Sequence, residues 1–322
     1  MGTLRYLLAS LVLLSHLGYS MAGLNPGVIA VVIFYLLAGH VVAGLWQKWQ
    51  SQPAATTRFY ADRLWRILPQ YFCALLVAAV LWRAGAQSPF LLRSPGLFEW
   101  LANLLVIPLG YFMYTGFDSF VLVPPAWSLA VELQFYLVAP WLLGLSPRRL
   151  ALVMLASLAV FAAAQLQWLD TDHFGYRLLP GVLFIFLAGG AMRQPRLHSI
   201  LLAFWLLMAA YLLMLLMHGP AVPYNREVAL GLVLGLPVLK VLRLARPTGV
   251  WKSLDRLLAN LSYGVFVWHF PALWSLHVQP GAVRPVQATA VLALSSLLAL
   301  VTHYVLERAV WTKVRRFERL SA

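Results

Sequence analysis

The chain has 322 residues, 62% of them hydrophobic and 11% charged, with a formal net charge of +14. Soluble domains carry about 25% charged residues, so this composition, with a mean hydropathy of +0.79, excludes a soluble globular enzyme and predicts an all-α, polytopic membrane helix bundle. The basic excess is spread along the chain, which fits membrane orientation and not nucleic-acid binding, and the lone Cys73 excludes a disulfide framework or a cysteine-based zinc site.

The first apolar segment, about residues 4–22, contains Arg5 and His16. A charged and a titratable residue in a membrane-length helix are expensive to keep and mark a functional site by default. Eleven residues make about three turns, so both project from one face, roughly 16 Å apart along the axis. Arg5 then lies at the membrane surface and His16 within the bilayer, a geometry for gripping an anion at one surface and doing proton chemistry deeper in. The run ending in Ser20-Met21-Ala22 also resembles a signal peptide. Later segments insert as well, so a removable leader is unnecessary.

The second segment, 27–46, carries His40 in its inner half, as a polar contact in a donor channel or a hydrogen bond within the bundle. The third, 67–83, is preceded by Arg63-Leu64-Trp65-Arg66. Positions i and i+3 share a helix face, so these guanidinium groups form a fork suited to phosphate oxygens. The same spacing serves a plain positive anchor in which Asp62 pairs with Arg66.

The fourth segment, 97–112, contains Glu99, Asn103 and Pro108 and runs into a polar, proline-rich stretch. Further segments fall at 127–145, 149–166, 178–192, 199–217, 228–244, 259–278 and 286–306. If 84–126 is one outward region with a re-entrant or interfacial segment, about ten transmembrane helices remain, with both termini cytoplasmic. Nineteen Lys and Arg then face inward against five outward, Arg83, Arg93, Arg177, Arg226 and Arg284, a strong positive-inside bias. A full span at 97–112 would spoil it. Residues 1–322 read as a single integral-membrane domain with no appended soluble domain.

Within 127–145, Trp127, Ser128, Glu132 and Tyr136 lie in one run. Glu132 falls about 7–8 Å below the outer surface, counting from Trp127. It is placed either beside His16, whose tautomer it would hold, or against an arginine such as Arg93 as a fold-stabilising pair. In the segment 259–278 His269 falls near the midplane, with Ser262 two turns earlier on the same face; a lone His here serves as a structural hydrogen-bonder or a catalyst. His303 and Glu307 read as an inner-end pair, and Asp118, Asp170 and Asp172 as outer loop groups.

Taken together, these stretches resemble the acyltransferase-3 family of integral membrane acyl-CoA-dependent O-acyltransferases. Arg5-x10-His16 is similar to that family's first-helix motif, and Phe34-Tyr35-Leu36-Leu37-Ala38-Gly39 to its FFxLSG stretch. Arg63-x2-Arg66 followed by Ile67-Leu68-Pro69 resembles RxxRIxP, the run from Trp127 to Tyr136 resembles WSLSVEEQFY, and Ser262-Tyr263 through Trp268-His269-Phe270-Pro271 resembles SYxxYLWHxP. Ala38 and Ala130 replace usual serines, and Leu133 stands where a second acidic residue is common.

The resemblance implies transfer of an acyl group, acetyl by base rate, from cytoplasmic acyl-CoA to a hydroxyl of an extracytoplasmic sugar or envelope polysaccharide, in a bacterial inner membrane and without a metal. In that reading His16 and Glu132 are catalytic, Arg5, Arg63 and Arg66 bind the donor, and Trp127, Ser128, Tyr136, His269 and Ser262 support the substrate or the fold. A proton-coupled transporter or flippase without acyl transfer is the rival expectation, since intramembrane His, Arg and Glu suit it equally.

Overall fold

The computed structural model describes residues 1–92, 94–217, 222–244, 248–281 and 283–307, with no description of the Leu306 and Glu307 side chains. Arg93, Arg246, Arg308, Lys313, Arg315, Arg316 and Arg319, and the side chain of the expected His303–Glu307 pair, lie outside the described residues.

Among the described residues the architecture is all helical. The helices are α1 (Gly2–His16), α2 (Pro26–Trp49), α3 (Ala55–Arg83), α4 (Leu97–Leu105), α5 (Phe112–Thr115), α6 (Ala126–Leu143), α7 (Pro147–Gln165), α8 (Leu179–Ala191), α9 (His198–Met217), α10 (Asn225–Leu244), α11 (Gly249–Ser275) and α12 (Pro285–Thr302). Seven stretches are long and apolar enough to cross a membrane, within α2, α3, α6, α7, 173–191, 195–217 and 285–305. The first, tenth and eleventh helices fall outside that test: α1 has 15 residues, α10 carries charged groups at both ends, and α11 has charged groups in its first turns followed by a run diluted by Asn260, Ser262, Tyr263, Trp268 and His269.

Helix α2 is the hub, with 72% of its apolar window buried against 11% in the stretch that contains α9. Its start is set locally: Asn25 accepts from the Gly27 and Val28 backbone N–H groups at 2.9 and 3.3 Å, and Pro26 occupies the first helical position. Helix α8 crosses it where a Cβ on Gly39 would lie 1.8 Å from the Phe186 carbonyl oxygen and one on Gly189 2.0 Å from that of Leu36. Glycine is what permits this approach, and van der Waals contact between close backbones is how helices associate in lipid.

Helices α1 and α11 run side by side in the same direction. Gly2 lies against Asp255 and Ala259 at one end, and His16 meets His269 fourteen residues further along both. Helix α12 returns alongside, with Tyr6 bonded to Ser296 and Tyr19 to the Val283 carbonyl.

No straight helix runs through 97–115. Helix α4 and the following 107–115 stretch are bent by 108° at Val106, a β-branched residue at φ 65°, where such residues are rarely found. Asn103 stitches the bend, donating to the Glu99 and Phe120 carbonyls and accepting from the Leu122 N–H, all at 2.9 Å. The Tyr71 hydroxyl donates to the Asn103 carbonyl at 2.6 Å.

Candidate functional site

Two of the cavities among the described residues are lined by the polar positions singled out in the sequence. One, of about 310 Å³, is lined by His16 with Asn25, Asp118, Trp127, Tyr176, Arg177 and Tyr224 among others. The other, of about 110 Å³, is lined by Arg5, Arg63, Arg66, Glu132, Tyr35, Tyr136, Ser262 and their apolar neighbours. Val31, Ser128 and Phe266 line both, so the two cavities adjoin, with these side chains in their shared wall.

The basic cavity gathers residues from five helices, with α2 supplying Tyr35 and apolar wall. Arg5 comes from the first turn of α1, Arg63 and Arg66 from α3, Glu132 and Tyr136 from α6, and Ser262 from α11. Three guanidinium groups against one carboxylate leave an excess of positive charge, a match for a phosphate-bearing ligand. Tyr136 donates its hydroxyl to Glu132, and the Arg63 guanidinium sits 5.7 Å from the Tyr136 ring centroid. Asp62 pairs with Arg63, not with Arg66 as the i, i+4 spacing suggested. Among the described residues Arg5 and Arg66 form no salt bridge.

In the other cavity His16 Nδ1 lies 3.0 Å from His269 Nε2, and His269 Nδ1 lies 3.2 Å from the Val265 carbonyl oxygen. A carbonyl can only accept, so His269 carries its proton on Nδ1 and offers the Nε2 lone pair to the His16 Nδ1–H. That leaves His16 Nε2 unprotonated in neutral imidazole, with the lone pair a general base needs. His269 is buried behind His16, with Phe270 tilted against both rings at 5.1 and 5.0 Å.

The expected meeting of His16 and Glu132 is not observed. Helix α6 runs from Trp127 toward the arginines, and the four residues from Ser128 to Glu132 advance about 6 Å, enough to carry the carboxylate into the basic cavity. The equal advance along parallel α1 and α11 brings the two histidines level instead. Ser262 and His269 likewise separate: Ser262 lines the basic cavity and bonds the Ala259 carbonyl. Ser128 lines both cavities, and its hydroxyl donates to the Pro125 carbonyl at 3.1 Å.

His40 is a bundle hydrogen-bonder, its ring nitrogens 3.3 Å from the Gly189 carbonyl and 3.4 Å from Arg193. Of the loop acids, Asp170 accepts from the His173 N–H, Asp172 pairs with Arg177, and Asp118 lines the His16 cavity.

Two residues given no role in the sequence reading belong to these cavities, Arg177, which no motif contains, and Tyr35, which lies within the motif at 34–39. Arg177 sits in a π-helical turn, 173–177, ahead of α8, where no regular periodicity points to it; Asp172 five positions earlier and the adjoining Tyr176 were its sequence signals. The Tyr35 hydroxyl, in the basic cavity's wall, is buried with no hydrogen-bond partner. Among the described residues no group of three His, Cys, Asp or Glu is arranged to hold a metal ion.

The family model described as "Acyltransferase domain" matches residues 2–308. The peptidoglycan O-acetyltransferase OatA of Listeria monocytogenes is 24% identical over 307 residues, 84% of this chain and 48% of that protein. The putative membrane-bound transacylase BcsY of Komagataeibacter xylinus is 27% identical over 327 residues, 95% of this chain and 81% of that protein. An uncharacterized protein of Aquifex aeolicus is 34% identical over 162 residues, 48% of this chain and 72% of that protein. The chain thus spans about half the length of the peptidoglycan O-acetyltransferase it matches. No solved structure matches significantly.

Proposed function

Because the chain belongs to the acyltransferase family whose model covers residues 2–308, we propose that it is a membrane O-acyltransferase that moves an acetyl group from acyl-CoA to a hydroxyl of a sugar or envelope polysaccharide. The observation that carries this reading is that a cavity rich in arginine adjoins a cavity containing His16, the two sharing Val31, Ser128 and Phe266 in their walls.

In this reading the nucleotide phosphates of acyl-CoA meet Arg5, Arg63 and Arg66, where charge-assisted hydrogen bonds are strongest. The pantetheine arm then threads toward Ser128, with the Tyr35 hydroxyl offering it a hydrogen bond. The acceptor occupies the larger cavity, where Trp127 and neighbouring tyrosines present flat faces to a sugar ring. His16 Nε2 takes the proton from the acceptor hydroxyl as its oxygen attacks the thioester carbonyl carbon, and His269 acts as the positioning residue that holds the reactive tautomer. Glu132, bonded to Tyr136 among the arginines, orders the donor site instead of touching the imidazole.

The orientation follows the charge distribution: ten spans, both termini cytoplasmic, 84–126 an outward region with a re-entrant stretch at the 108° bend, in a bacterial inner membrane. The donor then enters from the cytoplasm and the acceptor from outside. The OatA relative is named for peptidoglycan, which makes an envelope glycan the first acceptor class to test.

The test is purified protein in lipid nanodiscs with [14C]acetyl-CoA and peptidoglycan or lipopolysaccharide fragments. The expected result is acceptor-dependent release of CoA with a base-labile radiolabelled ester on the glycan. Movement of a glycan or lipid-linked precursor with the thioester left intact would replace this reading with that of a carrier, and a folded His16→Ala variant with full activity would refute the assignment of the base.

A further inference from the structure

The Arg177 guanidinium is fixed from several sides. Its Nε donates to Asp172 Oδ1 at 2.7 Å, and its Cζ lies 4.4 Å from the Trp127 ring centroid, 5.2 Å from that of Tyr176, 5.3 Å from Phe112 and 5.7 Å from Tyr224. Its side chain is 14% exposed. Its two terminal nitrogens make no hydrogen bond among the described residues, although the residue lines the His16 cavity. A cation built only to tie a loop to the bundle would commit its fork to Asp172; here Asp172 takes Nε alone and leaves the other N–H groups unspent. Asp172 and Asp118 also leave the cavity without net positive charge, which argues against a general anion trap and for a donor aimed at one atom.

Resting on the acyl-transfer reading, we propose that Arg177 is the oxyanion-binding cation of the reaction. Attack by the acceptor oxygen forms a C–O bond and moves the carbonyl π electrons onto oxygen, while His16 Nε2 receives the hydroxyl proton. The negative oxygen accepts hydrogen bonds from the unspent Arg177 N–H groups. Collapse re-forms the carbonyl and breaks the C–S bond, and the proton held by His16 passes to the departing sulfur to give free CoA. A donor held in place before the charge develops costs no reorganisation when it is needed, and this is usually the largest single contribution to such catalysis. The aromatic clamp and the Asp172 tether supply that fixation.

The experiment compares wild type with Arg177→Gln and Arg177→Lys in nanodiscs, reading kcat for transfer to the glycan acceptor, the rate of acceptor-independent acetyl-CoA hydrolysis, and acetyl-CoA affinity. Every route from the thioester passes the same oxyanion, so Arg177→Gln lowers both rates by about 100- to 1,000-fold, with unchanged donor affinity, and Arg177→Lys restores part of the loss. Unchanged rates overturn the proposal, as does a raised acceptor KM with normal hydrolysis, which would make Arg177 an acceptor contact. Should both variants fail to fold, Asp172→Ala removes the tether and keeps the cation; a fall in kcat at constant KM supports the proposal and the reverse split overturns it. A wild-type protein inert toward acetyl-CoA instead refutes the acyl-transfer reading itself.

Discussion

His16 and His269, 253 positions apart in sequence, share one hydrogen bond because parallel helices α1 and α11 carry them to the same level. The Val265 carbonyl at the end of this chain dictates which nitrogen of each ring bears hydrogen. Replacing His269 with Gln breaks the ordering but leaves the base in place. The expected outcome is a kcat lower by about 10- to 100-fold, part of the roughly 100- to 10,000-fold that a positioned general base supplies, with acetyl-CoA affinity unchanged. A purely structural His269 would show instead a lower melting temperature with kcat intact for the folded fraction.

The two arginines of α3 differ in what else they hold. Arg63 is tied to Asp62 and the Tyr136 ring, whereas Arg66 has no salt bridge among the described residues. Arg66→Gln is therefore expected to raise the KM for acetyl-CoA about tenfold, the loss of one charge-assisted hydrogen bond of roughly 1.5–3 kcal/mol, with little change in melting temperature. Arg63→Gln is expected to lower both affinity and melting temperature. Titrating CoA against dephospho-CoA by calorimetry shows which phosphate each residue meets.

The Tyr35 hydroxyl is buried without a partner, and leaving such a group unsatisfied costs about 1–3 kcal/mol. Tyr35→Phe removes the cost while keeping the stacking on Phe186 at 4.7 Å. A higher melting temperature together with weaker acetyl-CoA binding is the expected pair of results. A variant that gains stability and binds the donor as wild type does would remove Tyr35 from the donor path.

Asn103 holds three hydrogen bonds from a fully buried side chain at the 108° bend. Asn103→Leu leaves the Leu122 N–H and two carbonyls unpaired in an apolar setting. The expected cost is on the order of 2–4 kcal/mol, above that of a single orphaned group, read as a fall in melting temperature in detergent. Hydrogen exchange is expected to rise first in 97–122.

Asp255 lies in the first turns of α11, ahead of the apolar stretch. Partial burial alone would raise its pKa; the Thr3 and Gly2 backbone amides, the terminal ammonium and the Thr3 hydroxyl outweigh it and hold the carboxyl well below the ordinary range. A depressed folded-state value means that the contribution is complete above the unfolded pKa of about 3.9 and is lost as pH falls below it. Asp255→Asn therefore lowers the melting temperature at pH 7, and the gap from wild type narrows as the pH is taken from 5 to 3. A gap that stays constant over that range would exclude the linkage.

The helical architecture and the polar positions were legible from periodicity and from the cost of charge in lipid. Arg5, Arg63 and Arg66 were assigned to one ligand because all three fall at matching ends of their segments, and the structure gathers them in one cavity. The partner of His16 was not legible. Sequence spacing gives depth along a helix but not which helices are neighbours, and nothing in it shows that α1 and α11 lie side by side in the same direction, the arrangement that sets His269 and not Glu132 beside His16. Arg177 was hidden for a different reason: a π-helical turn breaks the 3.6-residue pattern that would mark its face, and its clamp is assembled from four separate stretches.

Of the three side chains common to the walls of both cavities, Val31 and Phe266 are apolar, and Ser128 commits its hydroxyl to the Pro125 carbonyl. The boundary between the arginine compartment and the imidazole compartment therefore has few groups to offer a water molecule, and any polar solute crossing it leaves its hydrogen bonds on one side before regaining them on the other.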